Sequence, residues 1–452
     1  MALHIIILAA GDGTRMKSRL PKVLHTVGGQ PMLRRVLNTA CALQPEGMHV
    51  VFNPAAPEVR DACADFDVVW VPQEQRLGTG HAVQQAMPGI PPDARVLVLY
   101  GDIPLIRAAT LRPLLAGDEP LRALTMTLGD PTGYGRIVRG AEGSIQSIVE
   151  ERDATPDQRL IQEVNTGVLV AQAGPLMGWL GRLEQGNSQG EYYLTDIFEM
   201  AAADRVGVGS VTAERAWELA GANDQVQLAA LERRFQISEA ERLMRAGVRI
   251  VDPNRVDIRG DVDGASDAWV DVNVVLEGRV RLGEGVSVGP GCVLTDCELA
   301  PGTQVHANSV LEGVTTTGAC QIGPFARLRP GTQLGEGAKV GNFVETKNAR
   351  LGDGTKASHL SYLGDATIGD GVNIGAGTIT CNYDGVNKHQ TIIEDDVFIG
   401  SDTQLVAPVT VGQGADIGAG STITRDVPAG QLTLSRSKQV TIPQWKRPTK
   451  KD

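Results

Sequence analysis

The chain has 452 residues and a formal net charge of -11, with 42% hydrophobic and 4% aromatic residues and 54 glycines. That length exceeds one ordinary core and points to two domains and a connection. The acidic balance excludes bulk attraction to nucleic acid or to an anionic membrane, so any phosphate chemistry has to rest on local cations.

The apolar run from Leu3 to Leu8 reads as a buried strand rather than a signal peptide, because no basic leader precedes it and a Gly-rich turn follows at once. No later apolar run is long enough to span a bilayer. The turn, Ala9-Ala10-Gly11-Asp12-Gly13-Thr14-Arg15-Met16 and then Leu20-Pro21-Lys22, has the outline of a phosphate-handling loop. Small residues let backbone N–H groups approach an anion, and Arg15 and Lys22 bring two cations to one place. It is neither a dinucleotide fingerprint, since Met16 stands where the last Gly belongs, nor a P-loop. On the glycines alone, a plain strand-to-helix turn is an equal reading.

A second buried strand, Arg95 to Tyr100, ends in Gly101-Asp102. Ligands collect at the carboxyl ends of strands in open α/β sheets, which places Asp102 to hold a hard cation, although a lone Asp there also serves as a turn or cap. Gln73 and Leu77-Gly78-Thr79-Gly80-His81-Ala82 form another small-residue turn, with His81 read as a structural histidine. From Asn223 to Gly247 the period becomes helical: Leu228, Leu231, Phe235 and Leu243 share a face, Asn223 or Asp224 caps the start and Gly247 ends it. The expected division is residues 1–226, a helical linker 227–247, and 248–452.

Beyond the linker, aliphatic residues recur every sixth position: Val270, Leu276, Leu282, Val288 and Leu294; Ile322, Leu328, Leu334 and Val340; Ile399, Leu405, Val411, Ile417 and Ile423. A sustained hexad predicts short strands and turns wound into a parallel β-helix. The phase slips between these blocks, so residues between Val340 and Ile399 are expected to leave the coils as bulges or loops. The slipped segments hold Arg329, Glu345, Lys347, His359, Tyr362, Asn373 and Asn382-Tyr383-Asp384-Gly385. His359 can accept a proton near neutral pH, with Arg329 and Lys347 as phosphate-holding cations. Read separately, each also fits a structural role. The six cysteines make no metal-ligand spacing and read as reduced packing residues of a cytosolic protein. The basic tail Pro443–Asp452 reads as a solvated terminus, with a CoA phosphate or a neighbouring subunit as the other use of its charge.

Together, Leu8-Ala-Ala-Gly-x-Gly-Thr-Arg-Met16, Pro21-Lys22, Leu77 to Ala82, Tyr100-Gly-Asp102, Tyr134-Gly-Arg136, Glu163-Val-Asn-Thr-Gly167 and Glu191 to Asp196 resemble the sugar nucleotidyltransferases. Followed by the hexads, they resemble the bacterial bifunctional family that makes UDP-N-acetylglucosamine for cell-envelope precursors. The resemblance implies an α/β nucleotidyltransferase domain with a Rossmann-like mixed sheet, a helical linker and a left-handed parallel β-helix assembled as a homotrimer. It implies that Leu8, Ala9, Ala10, Gly11, Gln73, Gly78, Thr79, Tyr100 and Gly101 meet UTP. Gly135, Glu150 and Asn165 would then meet the N-acetylglucosamine part, Asp102 and Asn223 would hold Mg²⁺, and Arg15 and Lys22 would offset phosphate repulsion. In the second half it implies His359 as general base, with Glu345 orienting it or raising its basicity. Arg329, Lys347, Tyr362 and Asn373 would bind glucosamine 1-phosphate, Asn382 and Tyr383 acetyl-CoA at its acetyl end, and Ala376, Ser401, Ala419 and Arg436 the CoA. Asp12 stands where relatives carry Lys and has no assigned role. A nucleotidyltransferase with a purely structural solenoid, and a non-catalytic regulatory subunit of the same domain pair, are the alternatives.

Overall fold

The computed structural model describes residues 1–448 and 450, so that Thr449, Lys451 and Asp452 of the basic tail lie outside the described residues. The chain divides into two compact units, Met1–Phe235 and the remainder from Gln236, and the division falls inside one helix, Gln225–Arg245.

The first unit is built on a nine-stranded mixed sheet. Its strands are β1 (Leu3–Ala9), β2 (Gly47–Phe52), β3 (Val69–Pro72), β4 (Arg95–Tyr100), β5 (Leu121–Thr127), β6 (Arg136–Arg139), β7 (Ile145–Val149), β8 (Glu163–Gln172) and β9 (Val208–Thr212). The order is β9-β5-β8-β4-β1-β2-β3, with the β6–β7 hairpin joined to β8. β1 is central and parallel to both β2 and β4, whereas β8 runs antiparallel to β4. The apolar run of β1 follows from burial on both faces. Ile5 and Ile7 pack with Leu33 and Leu37 of α1 (Met32–Cys41), while Ile6 packs with Ala82 and Val83 of α2 (Thr79–Ala86).

The second unit is a left-handed parallel β-helix, and its hexads become three apolar columns. Val270, Val288, Val305, Ile322, Val340, Ala357, Ile374, Ile399 and Ile417 stack in register on one face. Leu276, Leu294, Leu311 and Leu328 stack on a second. Each coil covers the open edge of the one before it. Buried hydroxyls close the turns: Thr332, Thr378 and Thr403 donate to the carbonyls of Arg329, Gly375 and Gly400 at 2.7, 2.7 and 2.6 Å.

The phase slips have two physical causes, and only one of them is an insertion. From Val340 through Ala357 to Ile374 nothing is extruded, because each coil is one residue shorter than three hexads and stays in register. Between Ile374 and Ile399 a hairpin around Asn382–Gln390 leaves the coil. Cys63, Cys292, Cys297 and Cys320 are buried packing residues, Cys381 is half-buried and Cys41 is exposed; all six are free thiols. Among the described residues no helix is long and apolar enough to cross a membrane.

Candidate active sites

In the first unit the parallel pairing of β1 and β4 sets their carboxyl ends side by side, tied by Gly101 N–H donating to Leu8 O at 2.9 Å. A cleft of about 340 Å³ opens there, lined by Leu8–Gly11, Lys22, Gln73, Gly78, Thr79, Tyr100 and Asp102. Lys22 Nζ donates to the Asp102 carboxylate and, at 2.9 Å, to Asn223 Oδ1, which also accepts from Arg15 Nη2 at 2.9 Å. Four residues separated by up to 208 positions thus meet at one charged centre. Asp224 caps the helix by accepting from Gln227 N–H at 2.8 Å, and this leaves the Asn223 amide for the cleft.

Gly78 has φ +111, and a Cβ there would lie 2.6 Å from Tyr192 O, so only glycine lets the turn press against Tyr192. Gln73, 4% exposed, donates to Gly78 O at 3.3 Å and meets His81 Nδ1 at 3.1 Å. The structural reading of His81 holds: its other ring nitrogen meets Gln85, and its ring stacks on Tyr192. At the far end, Asn165 N–H donates to Gly135 O at 2.8 Å, and Glu150 faces Gly135 across the hairpin. Burial raises the Glu150 carboxyl, offset in part by the Thr195 hydroxyl donating at 3.2 Å. A register shift in β8 between Asn165 and Leu169 puts Gly167 beneath the Tyr100 ring. Burial first, then Glu150 and Asp102, hold the Tyr100 phenol well above its ordinary range, so it stays neutral. Arg136, buried beside Gly135, binds Tyr134 O and the Glu151 carboxylate.

In the second unit His359 ends the strand Lys356–His359 and lies exposed in register with Asn342 of the preceding coil. Its Nδ1 meets Asn342 Oδ1 at 2.9 Å. With Asn342 presenting its carbonyl oxygen, Nδ1 carries the hydrogen and Nε2 keeps a free lone pair. Glu345 Oε1 accepts from Arg329 Nη1 at 3.0 Å, while the contact on His359 Nδ1 comes from Asn342. The register that stacks Ile374, Ile399 and Ile417 also stacks Ala376, Ser401 and Ala419, two residues further along, on coils successive to that of His359. Arg436 lies against Gly418 and Gly420 at the end of this column.

Around the corner from His359, Arg329 and Lys347 stand on adjacent coils above Gly364, with Tyr362 in register with Glu345. Lys388, which sequence reading passed over, joins them: its ammonium first and Arg329 next hold the Lys347 amine below its ordinary range. Lys388 is carried by the extruded hairpin, bridged to Tyr383 across it. Asp384 braces the hairpin by accepting from the N–H groups of Val386 and Asn387 at 2.9 and 2.7 Å and meeting His389 Nε2 at 2.7 Å. Asn382 is fixed by donating to Asp365 at 2.5 Å. Asn373 is not drawn into this group; it pairs with Lys356 and Phe398 at the start of its strand. Asn342 was within reach of the sequence, being 17 residues before His359 and so one coil earlier.

Residues 5–163 match the family model of the MobA-like NTP transferase domain, and residues 390–425 match that of the bacterial transferase hexapeptide (six repeats). Over nearly the whole length the chain is similar to three proteins each described as bifunctional protein GlmU. That of Alkalilimnicola ehrlichii is 58% identical across 99% of this chain and 97% of its own. Those of Stenotrophomonas maltophilia and Marinobacter nauticus are 57% and 54% identical, each across 99% of both chains. This chain therefore belongs to the GlmU family of bifunctional transferases, joining a nucleotidyltransferase to a hexapeptide-repeat acyltransferase.

Proposed function

We propose that the second unit transfers the acetyl group of acetyl-CoA to glucosamine 1-phosphate. The first unit then transfers the uridylyl group of UTP to the resulting N-acetylglucosamine 1-phosphate, with release of pyrophosphate. The observation that carries this reading is that one chain holds two separate polar centres with suitable cations: Arg15 and Lys22 in one, Arg329, Lys347 and Lys388 in the other.

In the second unit Arg329, Lys347 and Lys388 hold the sugar phosphate, and Tyr362 binds the sugar. His359 Nε2 takes a proton from the amino group as nitrogen attacks the thioester carbonyl; the C–N bond forms, the C–S bond breaks, and the sulfur leaves with the electron pair. Asn382 and Tyr383 border the acetyl group, and the column of Ala376, Ser401 and Ala419 with Arg436 takes the CoA. In the first unit, Gly135, Glu150 and Asn165 hold the sugar, and Leu8–Gly11, Gln73, Gly78, Thr79, Tyr100 and Gly101 hold the nucleotide. A phosphate oxygen of the sugar attacks the α-phosphorus in line, and Arg15 and Lys22 offset the repulsion between the anions.

Asp102 and Asn223 would hold Mg²⁺. Their two oxygens already converge on one cationic group, the Lys22 ammonium, a donor set that suits a hard cation completed by phosphate and water. When bound, the ion would neutralise phosphate charge. We place the enzyme in the cytoplasm as a homotrimer. Phe325, Phe343 and Leu360 support the assembly: they form an exposed apolar ladder beside His359, with Phe325 and Phe343 stacked at 5.7 Å.

Incubation with glucosamine 1-phosphate, acetyl-CoA, UTP and Mg²⁺, omitting one at a time, tests the reading. UDP-N-acetylglucosamine should form only from the full set, and free N-acetylglucosamine 1-phosphate should accumulate without UTP. UDP-glucosamine formed from glucosamine 1-phosphate and UTP without acetyl-CoA would contradict the order.

A further inference from the structure

Besides Asp102, the cleft of the first unit carries the carboxylates of Glu191 and Asp12, which a polyphosphate would resist. Asp12 directly follows Gly11 in the loop after β1 and lies on the cleft lining, as does Arg76, between Gln73 and Gly78 on the opposite rim. The two side chains form an ion pair across the cleft. They are 50% and 43% exposed, so the pair is open to solvent and to an entering ligand. The other cations near the cleft are already committed: Lys22 to Asp102 and Asn223, and Arg15 to Asn223. Arg76 is thus a cation on the nucleotide side whose partner is a surface carboxylate, and such exposed pairs exchange partners at little cost.

We propose that Arg76 is a further nucleotide-binding residue, kept by Asp12 when no nucleotide is bound and passed to the phosphates of a nucleoside triphosphate on entry. Asp12 plays two opposed parts. It competes with the phosphates for Arg76, and once Arg76 is removed it stands as a bare negative charge beside them. A planar guanidinium presents a fork of N–H groups that fits a phosphate as well as a carboxylate, so one side chain serves either partner in turn. The inference rests on the cleft being the nucleotide site.

The test measures KM for UTP and for N-acetylglucosamine 1-phosphate in Arg76→Gln, Asp12→Asn and the double variant. Acetyl transfer by the same molecules reports folding, and Lys22→Ala reports the nucleotide reading. Arg76→Gln should raise the KM for UTP roughly tenfold, the loss of one charge-assisted contact. Asp12→Asn should lower it, and the double variant should fall between the two because the bare carboxylate is gone; the KM for the sugar phosphate should barely move. An unchanged KM for UTP in Arg76→Gln, with Lys22→Ala impaired, overturns the role of Arg76 while leaving the site. Equal rises in Asp12→Asn and Arg76→Gln overturn it too, by showing only a structural tie. Normal UTP use by Lys22→Ala removes the nucleotide reading itself. If Arg76→Gln also loses acetyl transfer, Asp12→Asn decides: a lowered KM for UTP with acetyl transfer intact supports the proposal, and an unchanged or raised KM overturns it.

Discussion

The two units place their polar residues by opposite means. In the first, Arg15 and Lys22 of one loop, Asp102 and Asn223 come from three distant segments and meet only because the sheet order brings their loops to one edge. In the second, Asn342 and His359, then Ala376, Ser401 and Ala419, meet because a repeating chain returns to the same point on each coil. One site is made by topology and the other by counting. A change in the first should therefore act on a single charged centre, whereas a change in the second should act through position along a column.

The largest expected effect separates the two sites outright. His359→Ala should lower acetyl transfer on the order of 10²- to 10⁴-fold, the usual contribution of a general base. Uridylyl transfer from ready-made N-acetylglucosamine 1-phosphate should stay near normal; equal loss of both would mean misassembly. The reverse separation comes from Asp102→Ala, expected to cost uridylyl transfer on the order of 10²- to 10³-fold and to raise the Mg²⁺ requirement, with acetyl transfer intact. Unchanged turnover would remove Asp102 from the metal assignment.

A finer probe is Lys388→Ala, which takes one of three neighbouring cations from the hairpin. The KM for glucosamine 1-phosphate should rise about five- to tenfold with kcat changed less, as expected for one lost charge-assisted contact. A fall in kcat alone would tie Lys388 to the chemical step instead. The smallest effect concerns stability. Burial first, then Glu199, Glu150 and Asp153, raise the Asp196 carboxyl from 3.8 to about 6. The folded chain then holds a proton that the unfolded chain releases, so stability falls as pH rises between about 3.8 and about 6 and stays lowered above. Asp196→Asn should recover about 1 kcal/mol at pH 7.5, discounted for the solvent reaching this group, or a few degrees in Tm. The gain should vanish toward pH 4, and a pH-independent gain would point to packing rather than charge.

Much of the repeat was legible because its period is a property of neighbours in the chain: Ile399, Leu405, Val411, Ile417 and Ile423 are all buried as the hexad required. Likewise Leu231 and Phe235 are buried in the first unit and Leu243 in the second. What the hexads hid was the source of the slips. A coil shortened by one residue and a coil with an inserted hairpin both break the phase, and only pairing tells them apart. The partners of His359 and Glu345 were missed for a related reason. Which side chain reaches which depends on the corner between two faces, and there a single residue more or less decides the direction. Lys388 was passed over because its role depends on a hairpin folding back onto earlier coils.

The column from His359 to Ala419 is also a measure of length. Neighbouring strands are about 4.8 Å apart, so the three coil steps from His359 through Ala376 and Ser401 to Ala419 span about 14 Å. On the proposed reading, an extended thioester carrier laid along these coils is gauged against that distance, with its reactive end fixed where His359 stands. Adding or deleting a whole coil between Ala376 and Ala419 would keep every hexad in phase and the core intact, yet move the far anchor by one rung.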